Sequence, residues 1–72
     1  MTKFKLWVVD DEESIRTICR SALEDYFTIE TFPNGSEALL ALNSEKPDLI
    51  ITDIKMPGLS GLELLQKVSE RY

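Results

Sequence analysis

Two apolar segments of this chain each end in aspartate. The first covers residues 6–9 and is followed by Asp10 and Asp11, and the second covers residues 49–52 and is followed by Asp53. Continuous apolar runs of this length are typical of parallel strands that are buried on both faces. An acid at the end of a buried strand is costly to desolvate unless something compensates it. If the two strands are neighbours, three carboxylates meet at one edge of a sheet.

Strand-like and helix-like segments alternate along the chain. The strand-like segments are the two apolar runs, taken as residues 5–10 and 49–53, and an alternating apolar and polar segment at residues 27–32. Apolar side chains at helical spacing predict helices over about residues 13–25, over residues 36–43 and from Ser60 onward. This order predicts an α/β fold in which parallel strands are joined by right-handed helical crossovers. The alternating segment suits an exposed edge strand.

The same periodicity predicts which side chains are buried. The expected inward-facing residues are Ile15, Ile18, Cys19, Ala22 and Leu23 on the first helix, Ala38, Leu39 and Leu42 on the second, and Leu62, Leu65 and Val68 on the third. Trp7 is expected to fill core space. Asp11 or Ser14 is expected to cap the first helix, and the S-x-x-E spacing of Ser60 and Glu63 predicts a capping box at the third.

Composition bounds the kind of protein. The 72 residues make one small domain with 13 acidic and 8 basic side chains and a net charge of −5. The basic residues are scattered, which argues against direct nucleic-acid binding. Cys19 is the single cysteine and histidine is absent, so an intrachain disulfide is excluded and a zinc site is not expected. No apolar run has membrane-spanning length, so we expect a cytoplasmic domain with no membrane partner.

The three strand-end carboxylates suggest a site. In open α/β sheets, ligands bind beyond the carboxyl ends of the strands, where the strand order reverses. Close carboxylates repel one another, and Mg²⁺ would remove this conflict because it prefers a few carboxylate oxygens and retains several waters. The simpler interpretation is that these are ordinary polar residues where strands emerge into water. Spacing alone leaves a metal or phosphate site and this simpler interpretation equally open.

Two strings of residues resemble a known family. They are V-V-D-D-E at residues 8–12 and D-I-K-M-P-G at residues 53–58, followed by Gly61. At this separation they resemble the receiver domains of two-component response regulators. Trp7 and the S-I-R string at residues 14–16 are most similar to regulators of the nitrogen-regulation type.

The resemblance implies a particular architecture. The family has a flavodoxin-like doubly wound fold with five strands in the order 2-1-3-4-5. Residues 1–72 would form a partial receiver domain with three βα units. This half of the fold is a three-stranded parallel sheet in the order 2-1-3 with three helices. The family's fourth and fifth strands and helices are then absent from this chain. The hydroxyl residue after strand four and the lysine after strand five are absent with them.

The resemblance also implies roles for the acids. Asp53 matches the phospho-acceptor, Asp11 matches a direct ligand of Mg²⁺, and Asp10 matches an acid that holds the metal partly through water. The backbone carbonyl of Lys55 matches a main-chain metal ligand, and Asp53 itself completes the metal site. The implied phosphodonor is a sensor histidine kinase. The chain would then be a signalling module and not an enzyme. A phosphatase-like enzyme is disfavoured because Lys55 stands where such enzymes have a second acid.

A different class of function stays open. Strand three is apolar on both faces and would be an exposed edge in this chain, and such edges recruit other strands. We therefore expect a homodimer through strand three and the uncovered helix faces. In the alternative to signalling, the chain is a non-catalytic half-domain that self-associates and whose acids are idle. A second alternative is a fluctuating chain that folds only with a complementary fragment.

Overall fold

The computed structural model describes residues 3–55 and 57–71, with Arg71 described by its backbone alone. The elements in chain order are β1 (Phe4–Val9), α1 (Glu13–Leu23), β2 (Phe27–Phe32), α2 (Gly35–Ala41), β3 (Leu49–Thr52) and α3 (Gly61–Arg71). The predicted bounds differ from these by no more than two residues at either end. The α/β architecture is therefore confirmed.

The three strands form one parallel sheet in the order β2-β1-β3. In the register, Trp7 of β1 lies beside Glu30 of β2 and beside Ile50 of β3. The predicted order 2-1-3 is confirmed. Since β1 is the central strand, its apolar run lies between the other two strands and beneath helices on both faces. This position explains why residues 6–9 are all buried.

The main core lies between the sheet and helices α2 and α3. Its buried members are Trp7, Val9, Ala38, Leu42 and Leu64. The Trp7 indole ring packs against the Phe32 ring with a centroid separation of 4.8 Å. Trp7 is 1% exposed, which confirms its predicted role as a core residue. An aromatic pair of this kind adds stabilisation beyond the apolar area that it buries.

The helix ends are fixed by local side chains. Ser60 and Glu63 form the predicted capping box, in which each backbone N–H donates to the other side chain at 3.2 Å. The prediction that Asp11 or Ser14 caps α1 is wrong. Its N-cap residue is Glu12, whose side chain makes no capping hydrogen bond. Glu12 donates its N–H to the Asp10 side chain instead, and the resulting turn leaves Asp11 outside the helix.

A side chain also caps α2. Asn34 is the N-cap residue, and its side-chain oxygen accepts from the Glu37 N–H at 2.9 Å. Capping by Asn satisfies a backbone donor that the first helical turn leaves without a partner. The Pro33-Asn34-Gly35 segment is therefore both a turn and the start of the helix.

The inward face of α3 differs from the predicted one. Leu64 is fully buried, whereas Leu62 is 62% exposed and Leu65 is 43% exposed. The Gly61 N–H donates to the Ile54 carbonyl at 3.0 Å, which holds the start of the helix against the end of β3. Residues three and seven positions later share the face of Gly61. That face carries Leu64 and Val68 and leaves Leu62 towards solvent.

The opposite face of the sheet is only partly covered. Helix α1 packs mainly on β1 and β2, and Leu6 and Val8 beneath it are 1% exposed. None of the α1 residues is buried, and Cys19, predicted as a core residue, is half-buried. The register places Leu49 and Ile51 of β3 beside Leu6 and Val8, so they lie on this same face.

We call Ile15, Ile18, Leu49 and Ile51 the open apolar face. Their exposed fractions range from 38% for Ile15 to 62% for Ile18. The predicted inward face of α1 is therefore not buried, since Ile15, Ile18 and Ala22 are exposed and Cys19 and Leu23 are half-buried. No helix in the described part of the chain has the length and apolar character needed to cross a membrane.

A reciprocal pair of hydrogen bonds ties the start of β1 to the segment before β3. The Lys5 N–H donates to the Asp48 carboxylate at 2.7 Å, and the Asp48 N–H donates to the Lys5 carbonyl at 2.9 Å. The Lys5 ammonium also lies 2.9 Å from the Glu45 carboxylate. This hydrogen bond and the charge of Glu45 raise the pKa of Lys5. Together these contacts fix the end of the sheet opposite the strand-end acids.

Replacing Asp48 with alanine is expected to lower the free energy of unfolding by about 1 kcal/mol, because one backbone donor loses its acceptor. Asp48→Asn keeps an oxygen in the same place and should retain most of the stability. Urea unfolding of the two variants measures the difference. Equal destabilisation by both substitutions would assign the effect to the lost charge and contradict this prediction.

Candidate acidic site at the carboxyl edge of the sheet

Three carboxylates converge where β1 and β3 end. One carboxylate oxygen from each of Asp10, Asp11 and Asp53 lies within 4.8 Å of the others. Asp10 is half-buried, and the other two are exposed. The Asp53 N–H donates to the Val9 carbonyl at 3.1 Å, which extends the ladder between β1 and β3 past Thr52. This backbone bond sets the spacing between the two strand ends.

Asp10 and Asp53 are oriented by the same local device. One oxygen of Asp10 accepts from the Glu12 N–H at 3.0 Å, and one oxygen of Asp53 accepts from the Lys55 N–H at 3.3 Å. In both turns the acceptor lies two residues before the donor, a pattern that Asp favours because its short side chain reaches its own backbone. Each carboxylate therefore has its second oxygen available for a ligand.

The donor set suits a hard divalent cation. Opposite oxygen ligands of one Mg²⁺ ion are about 4.2 Å apart, since each lies about 2.1 Å from the metal. The separation of up to 4.8 Å between the three acids exceeds this only slightly. A small side-chain rotation, or a water between one acid and the metal, closes the difference. The residues present fit Mg²⁺, with direct ligation by some acids and water-mediated contact for the rest.

The surroundings of the acids are open and partly apolar. A shallow depression is lined by Asp10, Glu12, Ile15, Ile51, Thr52 and Asp53. It joins the carboxylates to the edge of the open apolar face. Asp11 lies outside this lining, although its carboxylate reaches the other two. The depression has room for a ligand above Asp53 and leaves it accessible to solvent.

The loop after Asp53 contains further predicted residues. Lys55 is exposed and its N–H bonds Asp53, while the predicted role of its carbonyl as a metal ligand stays a prediction. Met56 lies outside the described residues. Gly58 has a φ of 80°, a backbone conformation that glycine adopts without steric cost. Gly58 therefore allows the turn that this loop makes before α3.

Gly61 packs directly on the backbone of Asp53. A side-chain carbon at residue 61 would overlap the Asp53 carbonyl oxygen and lie 2.9 Å from its carbon. The sequence analysis did not predict this contact of Gly61 with Asp53. No sequence pattern identifies which backbone a glycine approaches. The contact places the first residue of α3 against the residue predicted to accept a phosphoryl group.

The backbone of Asp10 is held on both sides. Its N–H donates to the Phe32 carbonyl at 3.1 Å, and its carbonyl accepts from Arg16 Nη1 at 2.6 Å. Sequence reasoning assigned no role to Arg16. The sequence gives little indication of this bond, because an arginine near the start of an acidic helix is usually a solvent-exposed charge.

This fold and acidic edge define a receiver domain. The family described as the response regulator receiver domain matches residues 6–72, which is most of the chain. The chain therefore belongs to this family, and the resemblance given by the D-D-E and D-x-x-M-P-G strings is confirmed.

Particular relatives refine the comparison. The DNA-binding transcriptional regulator NtrC of Escherichia coli (strain K12) is 47% identical over 68 residues, covering 93% of this chain and 14% of the relative. A solution structure of the apo receiver domain of NtrC is 45% identical with a TM-score of 0.86, covering 100% of this chain and 59% of that one. Chemotaxis protein CheY4 of Vibrio cholerae is 34% identical with a TM-score of 0.91, covering 97% and 59%. The chain thus spans less than two thirds of these proteins.

Replacing Gly61 with alanine is expected to displace Asp53. Forcing a methyl group against backbone atoms costs about 1–3 kcal/mol. Because Gly61 is the first residue of α3, the gain in helix propensity is less than the roughly 1 kcal/mol of a helix interior and offsets only part of this cost. Urea unfolding measures the cost, and the amide chemical shift of Asp53 reports its displacement.

Gly58→Ala is the matched control for this substitution. Nothing lies within 4 Å of a carbon added at residue 58, so only backbone strain is introduced there. The control should lose stability while leaving the Asp53 amide unshifted. An unshifted Asp53 amide in Gly61→Ala would contradict the proposed contact.

Proposed function

We propose that the chain is part of a two-component receiver whose Asp53 accepts a phosphoryl group in a Mg²⁺-dependent reaction. The observation that carries this proposal is the convergence of three carboxylates at the carboxyl edge of the sheet in a member of the receiver family. Residues 1–72 correspond to the first three βα units of such a domain. This correspondence is supported by the two solved structures compared above, of which the chain covers 59% each.

The chemistry assigned to Asp53 is nucleophilic. The carboxylate oxygen that does not bond Lys55 attacks the phosphorus of the donor, and the bond from phosphorus to the leaving group breaks as an aspartyl phosphate forms. The Lys55 N–H holds the other oxygen and so directs the nucleophile towards the depression. Asp53 is exposed, so a donor can reach it without a conformational opening.

The other acids are assigned to the metal. Asp11 and Asp53 would ligate Mg²⁺ directly, Asp10 would do so partly through water, and the Lys55 carbonyl would complete the protein ligands. When bound, Mg²⁺ neutralises charge on the transferring group and on the acids that would otherwise repel it. Asp10 and Asp53 are both bonded through backbone and side chain, and Asp10 is the less exposed of the two, so it forms the more fixed side of the metal site.

The partner that fits this chemistry is a sensor histidine kinase, which would supply a phosphohistidine. Receiver domains in NtrC-like regulators are signalling domains and not classical enzymes. We assign the chain to the cytoplasm, where such kinases present their phosphohistidine. With a net charge of −5, this segment is not expected to contact nucleic acid itself.

Incubation of the chain with a small phosphodonor and Mg²⁺ is expected to add one labile phosphoryl group, detected by intact-mass measurement. Asp53→Asn should abolish the addition because the nucleophilic oxygen is lost. Asp25→Asn, which removes an exposed carboxylate outside the acidic cluster, should leave it unchanged. If the folded wild-type chain never gains the phosphoryl group, the proposed phosphoryl transfer is wrong and the acids are idle in this chain.

The second candidate function is assembly without catalysis. It is favoured by the open apolar face and by the outer edge of β3, which pairs with no strand in the described part of the chain. An exposed strand edge without charge or proline recruits another strand, and exposed apolar patches mark association surfaces. The occupant proposed here is a second copy of the chain, related by a twofold axis.

Sedimentation or light scattering at micromolar concentration is expected to give the mass of a dimer. Ile51→Lys places a charge on the open apolar face and should shift the chain towards monomer. Leu40→Lys, at a 68% exposed position on α2, adds the same charge outside that face and should keep the dimer. A compact wild-type monomer would overturn the assembly proposal.

A further inference from the structure

The Arg16 guanidinium has an unusual partner for a helix-surface arginine. Its Nη1 donates to the Asp10 carbonyl at 2.6 Å, across the loop between β1 and α1. Within residues 3–55 and 57–71, Arg16 forms no ion pair with a carboxylate, although acidic side chains are abundant. Its side chain is half-buried on a helix that has no buried residue. The guanidinium is therefore directed at the backbone of the site.

The bond fills a position that the sheet leaves open. Asp10 follows β1, and its N–H bonds Phe32, the last residue of β2. The next donor in a parallel ladder would be the N–H of residue 34, but Asn34 lies beyond β2 as the N-cap of α2. No further β2 strand residue is present to donate to the Asp10 carbonyl. Arg16 supplies that donor from the next helix.

Three groups of Asp10 are consequently fixed at once. Its N–H is held by Phe32, its carbonyl by Arg16, and one carboxylate oxygen by the Glu12 N–H. The bond to Glu12 closes the turn that carries Asp11. Losing the Arg16 bond frees the peptide between Asp10 and Asp11 to rotate. That rotation would move both acids relative to Asp53.

We propose that Arg16 is a positioning residue that holds the loop between β1 and α1 in the geometry needed for a divalent cation. This inference rests on the proposed function for its consequence at the metal, but its structural part stands without it. Arginine suits the role because its charge is permanent and its planar fork orients each donor. Groups that orient metal ligands through a hydrogen bond commonly change metal affinity by roughly 10-fold to 100-fold.

Charge and positioning predict opposite effects on metal binding. A cation near a metal site repels the metal, so removing the Arg16 charge alone would strengthen binding. Removing a positioning bond would weaken it. A single substitution therefore separates the two roles. Arg16→Met is the informative variant because it keeps an apolar stem of similar length while removing both the donor and the charge.

The experiment compares Arg16→Met with Arg16→Lys and Arg20→Met. Lysine restores a charged donor and should recover part of the effect. Arg20 lies one turn further along α1, is exposed and does not line the depression at the acids, so Arg20→Met controls for loss of one positive charge. Near-ultraviolet circular dichroism checks that each variant is folded. Should Arg16→Met fail to fold, the intermediate effect of Arg16→Lys on the same readouts decides the question.

The first readout needs no metal. Nuclear magnetic resonance of the metal-free chain should show a shifted Glu12 amide and lower order parameters at residues 10–12 in Arg16→Met, but not in Arg20→Met. Unchanged order and shift at these residues would overturn the inference. Because this result depends only on the loop, it is separate from any failure of phosphoryl transfer at Asp53.

The second readout is Mg²⁺ titration followed by the amides of Asp11 and Asp53. Arg16→Met should bind Mg²⁺ roughly tenfold more weakly than the wild type, and Arg20→Met should bind as well or slightly better. Equal or tighter binding in Arg16→Met would show a charge effect and overturn the positioning role. If the wild type binds no Mg²⁺, the proposed metal site fails, and the loop readout alone decides the role of Arg16.

Discussion

The parallel pairing of β1 with both neighbours is the constraint on which the rest of the structure depends. Residues 6–9 are buried on both faces, so they cannot be exposed without losing most of the core. Their pairing with β3 extends to the bond between the Val9 carbonyl and the Asp53 N–H. The same hydrogen-bond ladder that stabilises the sheet therefore sets the position of the acidic edge.

The helices and strands and their order along the chain were predictable from the sequence. Apolar runs identify β1 and β3, alternation identifies β2, and the order of elements gives parallel strands. The convergence of the strand-end acids follows from that topology. Reciprocal side-chain caps were predictable too, because Ser60 and Glu63 satisfy each other within one turn. In each case the interaction is recorded in residue types at fixed spacing.

Two contacts with backbone atoms outside the residue's own helix were missed, those of Gly61 and of Arg16. Leu62, Leu64 and Leu65 are all apolar, so periodicity alone does not fix which of them faces the core. The contact of Gly61 with Asp53 and Ile54 decides the rotation of α3. Likewise, Arg16 bonds a carbonyl that any residue at position 10 would provide. Such partners leave no trace in side-chain patterns.

The contact between Gly61 and Asp53 has a mechanical consequence. Most helices rest on a sheet through side chains, whose rotations absorb small movements of one element against the other. At the start of α3 that layer is missing, because backbone lies directly on backbone. A displacement of the Asp53 main chain towards α3 would therefore move the backbone of the helix directly. Such a movement would also shift Leu64 and Val68, which lie on the same face of the helix and pack in the core with Trp7.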